Sequence, residues 1–232
     1  MDGWSRKLLW LRVTRSNNDP KRIGKLYLDT VEKLRGCPMR IRTDHGTENG
    51  FVATAQSYFL NDISAHKYGS SPHNQRIEGW WSFYRRSRST WWINFFKDLI
   101  DRCVFTPGDD LSNECLWNCF ACLIQSDLDN VKEHWNSHYI RKSRHDTISG
   151  RPNELFFIPE LHGGVDCLQP TSVDKFQNAK SQLDEMPSDD DPYDDYFDYL
   201  REVNGFRKPR DWKEALNQYK TLMQYSRAGN AP

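Results

Sequence analysis

The sequence predicts an α/β domain followed by a helical extension. Two observations carry this. From Lys7 to about Trp81, short strand-like apolar runs alternate with runs whose apolar residues fall at helical spacing, and from Phe95 to Tyr139 the spacing is helical alone. At 232 residues the chain can hold one substantial domain plus appendages. Tryptophans 80, 81, 91, 92, 117 and 135 add a third observation, because such a concentration implies a core or a stacking surface in the middle third.

Taken in order, Gly3-Trp4-Ser5-Arg6 is a turn, and Lys7 to Val13 has the composition of a strand. Asn18-Asp19-Pro20 starts a helix, with a capping side chain ahead of a proline that the first turn tolerates. That helix continues through Ile23, Leu26, Tyr27, Val31 and Leu34, and Gly36 is its expected stop. A short strand from Met39 to Arg42, a helix from about Gly50 to Leu60 and a strand near Ala65 to Tyr68 follow. A Gly-Ser-Ser-Pro loop then leads to the helix of Glu78. Thr106 to Asp110 breaks the later helical stretch, and Arg151-Pro152 precedes a short aromatic segment, Leu155 to Ile158. Ser188 to Asp198 is acidic, broken by proline and expected to stay solvated, whereas Asp211 to Tyr225 can form one helix.

Composition removes several function classes. Formal net charge is zero, so nucleic-acid affinity must come from local patches. No run approaches about eighteen apolar residues and no signal peptide leads the chain, so an intracellular or nuclear protein that is neither secreted nor membrane-bound is expected. Of the six cysteines, Cys115, Cys119 and Cys122 share one helix face and lack paired zinc-ligand spacing, which favours buried thiols over a metal site.

Two carboxylates carry the chemistry. Asp44 ends a strand in Arg42-Thr43-Asp44-His45-Gly46-Thr47-Glu48-Asn49-Gly50, and Glu78 stands on the first turn of a helix a little over thirty residues later. Each alone reads as a turn aspartate or a solvated helix glutamate. Together, from separate elements, they are the kind of pair that holds divalent metal for phosphoryl transfer.

The joint pattern resembles the catalytic core of the DDE integrase and transposase superfamily, of eukaryotic transposon-derived type. Thr43 to Asn49 matches the family's (T/S)-D-x-G-x-x-(F/N) segment, and Ser71-Pro72-His73-Asn74-Gln75-Arg76-Ile77-Glu78 resembles S-P-x-x-(N/Q)-x-x-x-E with one residue fewer before the acid. Trp135 to Arg141 and His145 to Glu154 resemble the tail motif that follows the core, so the resemblance covers roughly residues 2 to 158. It implies a ribonuclease H-like mixed sheet flanked by helices. It also implies DNA as substrate, magnesium or manganese as cofactor, and Asp44 and Glu78 as catalytic metal ligands. A homo-oligomer is compatible with it; a small-molecule substrate is not.

The family's chemistry uses three acids. Asp2 is a candidate for the first, but Asp2-Gly3-Trp4-Ser5-Arg6-Lys7-Leu8-Leu9 matches a second-strand hairpin signature of the superfamily. Asp2 is therefore expected to be a turn residue, with the first, central strand and its acid absent and a two-metal site complete only if that acid is supplied. The resemblance places Arg85, Arg86 and Arg88 against DNA phosphates, although the same residues suit a solvated helix face, with Ile77, Trp80, Trp81, Tyr84 and Trp91 on the opposite side. His45 can contact substrate or be a loop histidine, Ser70 to Gln75 with Asn74 would position DNA, and Arg141 to His145 is a further basic cluster.

The expected division is a truncated catalytic core over 1–95, a helical extension with the post-core motif over 96–168, and a largely disordered acidic tail with a short terminal helix over 169–232. The expected function is metal-dependent DNA cleavage and strand transfer. The alternatives are an inactive descendant that binds nucleic acid or protein, and a hydrolase acting on RNA in hybrids.

Overall fold

The computed structural model describes residues 1–69, 75–142, 148–186 and 192–228. They form a mixed α/β arrangement in two units. One draws on Met1–Leu11, Ser16–Trp80 and Lys132–Ser188, and the other on Arg12–Arg15, Trp81–Val131 and Asp189–Pro232.

In the first unit, helix α1 (Pro20–Leu34) begins where expected. Asp19 caps it, its carboxylate accepting from the amides of Lys21 and Arg22. It ends one residue before the expected glycine, because Arg35 takes the left-handed conformation and its amide returns to the carbonyls of Val31 and Glu32. Gly36 instead opens strand β1 (Gly36–Pro38), which pairs antiparallel with β4 (Leu168–Pro170). A Cβ at Gly36 would stand 2.6 Å from the Gln169 carbonyl oxygen, so the glycine serves close strand approach.

Strand β2 (Ile41–Thr43), helix α2 (Gly50–Leu60) and strand β3 (His66–Tyr68) form a parallel β-α-β unit, as the alternating pattern predicts. The Gly69 amide donates to the Thr43 carbonyl at 2.8 Å and extends the pairing by one step. Tyr27, Leu28 and Val31 of α1 pack with Val52, Ala55 and Phe59 of α2, and with Ala179 and Leu183 of α7 (Val173–Asp184). Burying each large side chain there stabilises the unit by about 1.5–3 kcal/mol. Gln56 is wholly buried in this core, accepting from the Tyr27 hydroxyl at 2.7 Å and donating to the Pro38 carbonyl at 2.6 Å. Burial pushes the Tyr27 phenol well above its usual pKa, so it stays a donor.

The segment Lys7 to Val13, expected as a strand, has no regular secondary structure and joins no strand among the described residues. Side chains of helix α5 (Asp110–Ser137) take the places that strand partners would fill. The Trp135 indole donates to the Arg6 carbonyl at 2.9 Å. The Asn136 amide brackets Leu8, accepting from its N–H at 2.8 Å and donating to its carbonyl at 3.0 Å. Within the second unit, Gln125 accepts from the Val13 amide at 3.0 Å. Buried backbone groups must be paired, and here side-chain amides do the pairing.

Helix α3 (Gln75–Tyr84) runs into a π turn at Arg85–Ser89 and then α4 (Thr90–Asp101). The expected apolar face is only partly realised. Trp80 is buried, packing edge-on to Trp135 with centroids 6.2 Å apart, while Trp81 and Trp91 are exposed. A π turn inserts a residue into the helical repeat, so the side chains beyond it no longer follow the phase of those before it.

Helix α6 (Pro152–Phe157) buries Leu155 in the first unit. The second unit's core joins Cys115, Cys119 and Phe120 of α5 to Phe197 and Leu200 of α8 (Pro192–Val203). Ala215, Tyr219, Leu222 and Met223 of α9 (Trp212–Ala228) complete it. The acidic run was expected to stay solvated; from Pro192 onward it is helix α8 instead. Its Phe197 and Leu200 are fully buried and Arg201 donates to the Asn118 carbonyl at 2.8 Å. Cys115 and Cys119 are buried free thiols, and hydrogen bonding with Cys119 together with burial pushes the Cys115 thiol up. No described helix is long and apolar enough to cross a membrane.

Candidate metal and nucleic-acid site

Strand β2 ends at Thr43, so Asp44 stands just past the carboxyl end of a parallel strand, where α/β folds gather ligands. The Thr43 hydroxyl donates to the Asp44 carbonyl at 2.9 Å and lies 3.1 Å from His66 Nε2. With the hydroxyl proton given to Asp44, the imidazole must supply the hydrogen of the second contact from Nε2. Burial lowers the His66 pKa and favours that neutral ring.

Past Asp44 the chain turns through Gly46 into a single 3-10 turn, Thr47–Asn49. This brings the Asn49 side chain back onto the strand end. Its Nδ2 donates to Asp44 Oδ1 at 2.8 Å and to Glu48 Oε1 at 3.0 Å, one hydrogen to each carboxylate. Gly46 leaves room for this, since a Cβ there would lie 2.0 Å from Glu48 Oε1. A larger residue would push the Glu48 carboxylate aside. Asp44 is exposed, and its Oδ1 is held by Asn49.

The His45 ring stacks on Tyr68 with centroids 5.2 Å apart, and His66 meets the same ring edge-on at 4.6 Å. The parallel register makes this contact, because Thr43 lies opposite Tyr68. His45, one of the candidate substrate contacts, is thus packed on its neighbour strand while remaining exposed.

Glu78 lies in the first turn of α3, in the same unit as Asp44, and is exposed. A carboxylate there is favoured by the positive end of the helix dipole. Trp80, two residues on, anchors this end of the helix against Trp135, and Arg76 donates to the Gly3 carbonyl. Asp2 is engaged locally: its Oδ2 accepts from the Trp4 amide at 3.1 Å, the Ser5 amide at 2.7 Å and the Ser5 hydroxyl at 2.6 Å. Arg85, Arg86 and Arg88 are exposed in the π turn and belong to the second unit. Asn74, the Ser70–Asn74 part of the loop and His145 lie outside the described residues.

A family model described as an integrase core domain matches residues 1–163. The chain belongs to the integrase core domain family. No curated protein and no solved structure matched it. The family acts on DNA with divalent metal, and the donor chemistry at the Asp44 end fits such an ion: hard carboxylate oxygens, exposed, with one oxygen pre-oriented by an amide. Among the described residues no three His, Cys, Asp or Glu side chains converge on one point. The Asn49 bridge between Asp44 and Glu48 was not legible in the sequence, although Asn49 ends the matched Thr43 to Asn49 segment. Glu48 and Asn49 stand four and five residues after Asp44, a spacing that brings them back to the strand end only through the 3-10 turn.

Proposed function

We propose that the chain carries an integrase-type site for metal-dependent cleavage and joining of DNA strands, with Asp44 and Glu78 as metal-holding carboxylates. The observation that carries the reading is the strand-end placement of Asp44 beside Asn49 in a chain whose residues 1–163 match the integrase core family. In this reading residues 1–95 are the ribonuclease H-like catalytic core, and Trp135 and Asn136 belong to the post-core motif of residues 96–168.

Each residue then has a task. Asn49 holds Asp44 Oδ1, so that Oδ2 is presented in one orientation at little entropic cost on ligand binding. Glu78 offers the second carboxylate from a helix start. Bound magnesium or manganese would activate the attacking oxygen and stabilise the leaving one. His45, Asn74, Arg85, Arg86 and Arg88 are assigned to DNA, the arginines through phosphate oxygens. Asp2 is assigned to the turn, because its carboxylate accepts from the Trp4 amide and from the Ser5 amide and hydroxyl. The proposal thus assigns two of the three acids that the family's chemistry uses. A nuclear location and self-association fit the reading.

The commitment of Asp2 to its turn also favours a second reading, a non-catalytic descendant that binds nucleic acid through the same fold. A strand-transfer assay in magnesium with labelled DNA ends separates the two. Activity that Asp44→Asn and Glu78→Gln each abolish supports the enzyme. DNA binding without strand transfer assigns the descendant, and activity that requires an RNA strand assigns a hybrid-specific hydrolase.

A further inference from the structure

The second unit displays an aromatic face with no role in the site above. Trp91 lies parallel to Phe95, with centroids 5.4 Å apart and an interplanar angle of 6°. Trp212, at the start of α9, closes against both rings, 6.1 Å from Trp91 and 5.5 Å from Phe95. Phe95 covers one face of the Trp91 indole, yet Trp91 remains 48% exposed and Trp212 37% exposed. Large aromatic residues held rigidly and left open in this way are recognition surfaces more often than surplus core.

The charge beside this face identifies what it suits. The π turn immediately before α4 carries Arg85, Arg86 and Arg88, all exposed. Arg88 stands about one helical turn before Trp91. Its contact with Asp127 is long, at 3.9 Å, and the side chain is mostly exposed. The Lys213 ammonium lies 5.6 Å from the Trp212 ring centroid. The acids nearest in sequence to Trp212 are turned into the helix start: Asp211 accepts from the amides of Lys213 and Glu214, and Glu214 accepts from the Arg210 amide. Cations flanking open aromatic rings match a ligand that has both phosphates and exposed base faces. Duplex DNA hides its base faces, and a single strand presents them. π turns also recur at functional positions, since the widened turn costs stability without packing gain.

We propose that the Trp91–Trp212 face, with the arginines of the π turn, binds single-stranded DNA by stacking unpaired bases. This rests on the nucleic-acid reading of the integrase core and adds the form of DNA that the second unit recognises. Trp212 lies beyond the residues matched to that family, whereas Trp91, Phe95 and the π-turn arginines lie within them.

The test uses the full chain and fluorescence anisotropy with a labelled thymidine oligonucleotide of about twelve nucleotides, a site size within the usual range. A duplex of equal length and an RNA of matching sequence serve as comparisons. The single DNA strand should bind more tightly than the duplex. Trp91→Leu and Trp212→Leu should each weaken it about ten-fold, and Trp91→Phe should recover most of the loss. Replacing Arg85, Arg86 and Arg88 by glutamine should reduce the slope of log affinity against log salt by about two. Quenching of tryptophan fluorescence by the oligonucleotide in the unmodified chain, reduced in Trp91→Phe, provides a readout that does not depend on the leucine variants folding. Equal or tighter binding of the duplex, tighter binding of RNA, or full affinity in folded Trp91→Leu overturns the proposal. Asp44→Asn should stop strand transfer and leave this binding intact, so failure of the catalytic reading and failure of the stacking face give different results.

Discussion

Replacing Asn136 by alanine removes the side chain that substitutes for a strand partner at Leu8. Two hydrogen bonds are lost, at 2.8 Å from the Leu8 amide and at 3.0 Å to its carbonyl. Both residues are nearly inaccessible, Asn136 at 4% and Leu8 at 3%, so water cannot readily replace the lost partner. Each orphaned backbone group costs about 1–3 kcal/mol. Alanine recovers roughly half a kcal/mol through its better helix propensity. The net loss is about 1.5–5.5 kcal/mol, which at a urea slope of about 2 kcal/mol per molar lowers the midpoint by about 0.8–2.8 M. Urea titration followed by far-ultraviolet circular dichroism measures this. Asn136→Leu, which fills the volume and still leaves both groups unpaired, should be nearly as damaging. A midpoint for Asn136→Ala within about 0.3 M of the parent would refute the idea that this amide replaces a sheet partner.

Other consequences are smaller or more local. Asn49→Ala should leave the urea midpoint nearly unchanged, because the residue is on the surface, while lowering strand transfer or metal affinity about ten-fold through a freed Asp44 carboxylate; paired denaturation and titration measurements check both parts. His66 has a depressed pKa in the fold, so its stabilising contribution is complete above about pH 6.5 and is lost as pH falls from there through the folded value. The slope of stability against pH between 7 and 5 should shrink in His66→Gln. A thiol reagent should react rapidly with the exposed Cys103 and Cys167 and slowly with Cys37, Cys115 and Cys119 until denaturant is added, as peptide mapping of the labelled protein will show.

The β-α-β unit was legible because its signals are local. Strand and helix runs lie side by side, and α2 occupies the predicted Gly50–Leu60. Lys7 to Val13 was misread for the opposite reason. Its composition specifies an extended, buried segment, but whether another strand or an asparagine from α5 satisfies Leu8 depends on contacts more than a hundred residues away. Helix α8 was obscured by aspartates that dominate the composition. Tyr193, Phe197 and Leu200 nevertheless recur at helical spacing, and that stripe is the side that is buried. At the candidate site, Asp44 and Glu78 could be identified by motif and position. The Asn49 bridge and the His45–Tyr68 stack could not, since one needs the 3-10 turn and the other the parallel register.

The assignment of Asp44 and Glu78 as metal-holding carboxylates is tested most directly with the metal alone. Titration of the full chain with manganese, followed by electron paramagnetic resonance of the free ion, reads binding whether or not the chain cuts DNA. Saturable binding weakened about ten-fold or more by both Asp44→Asn and Glu78→Gln is the predicted result. Binding that is absent from the parent, or unchanged in both variants, contradicts it.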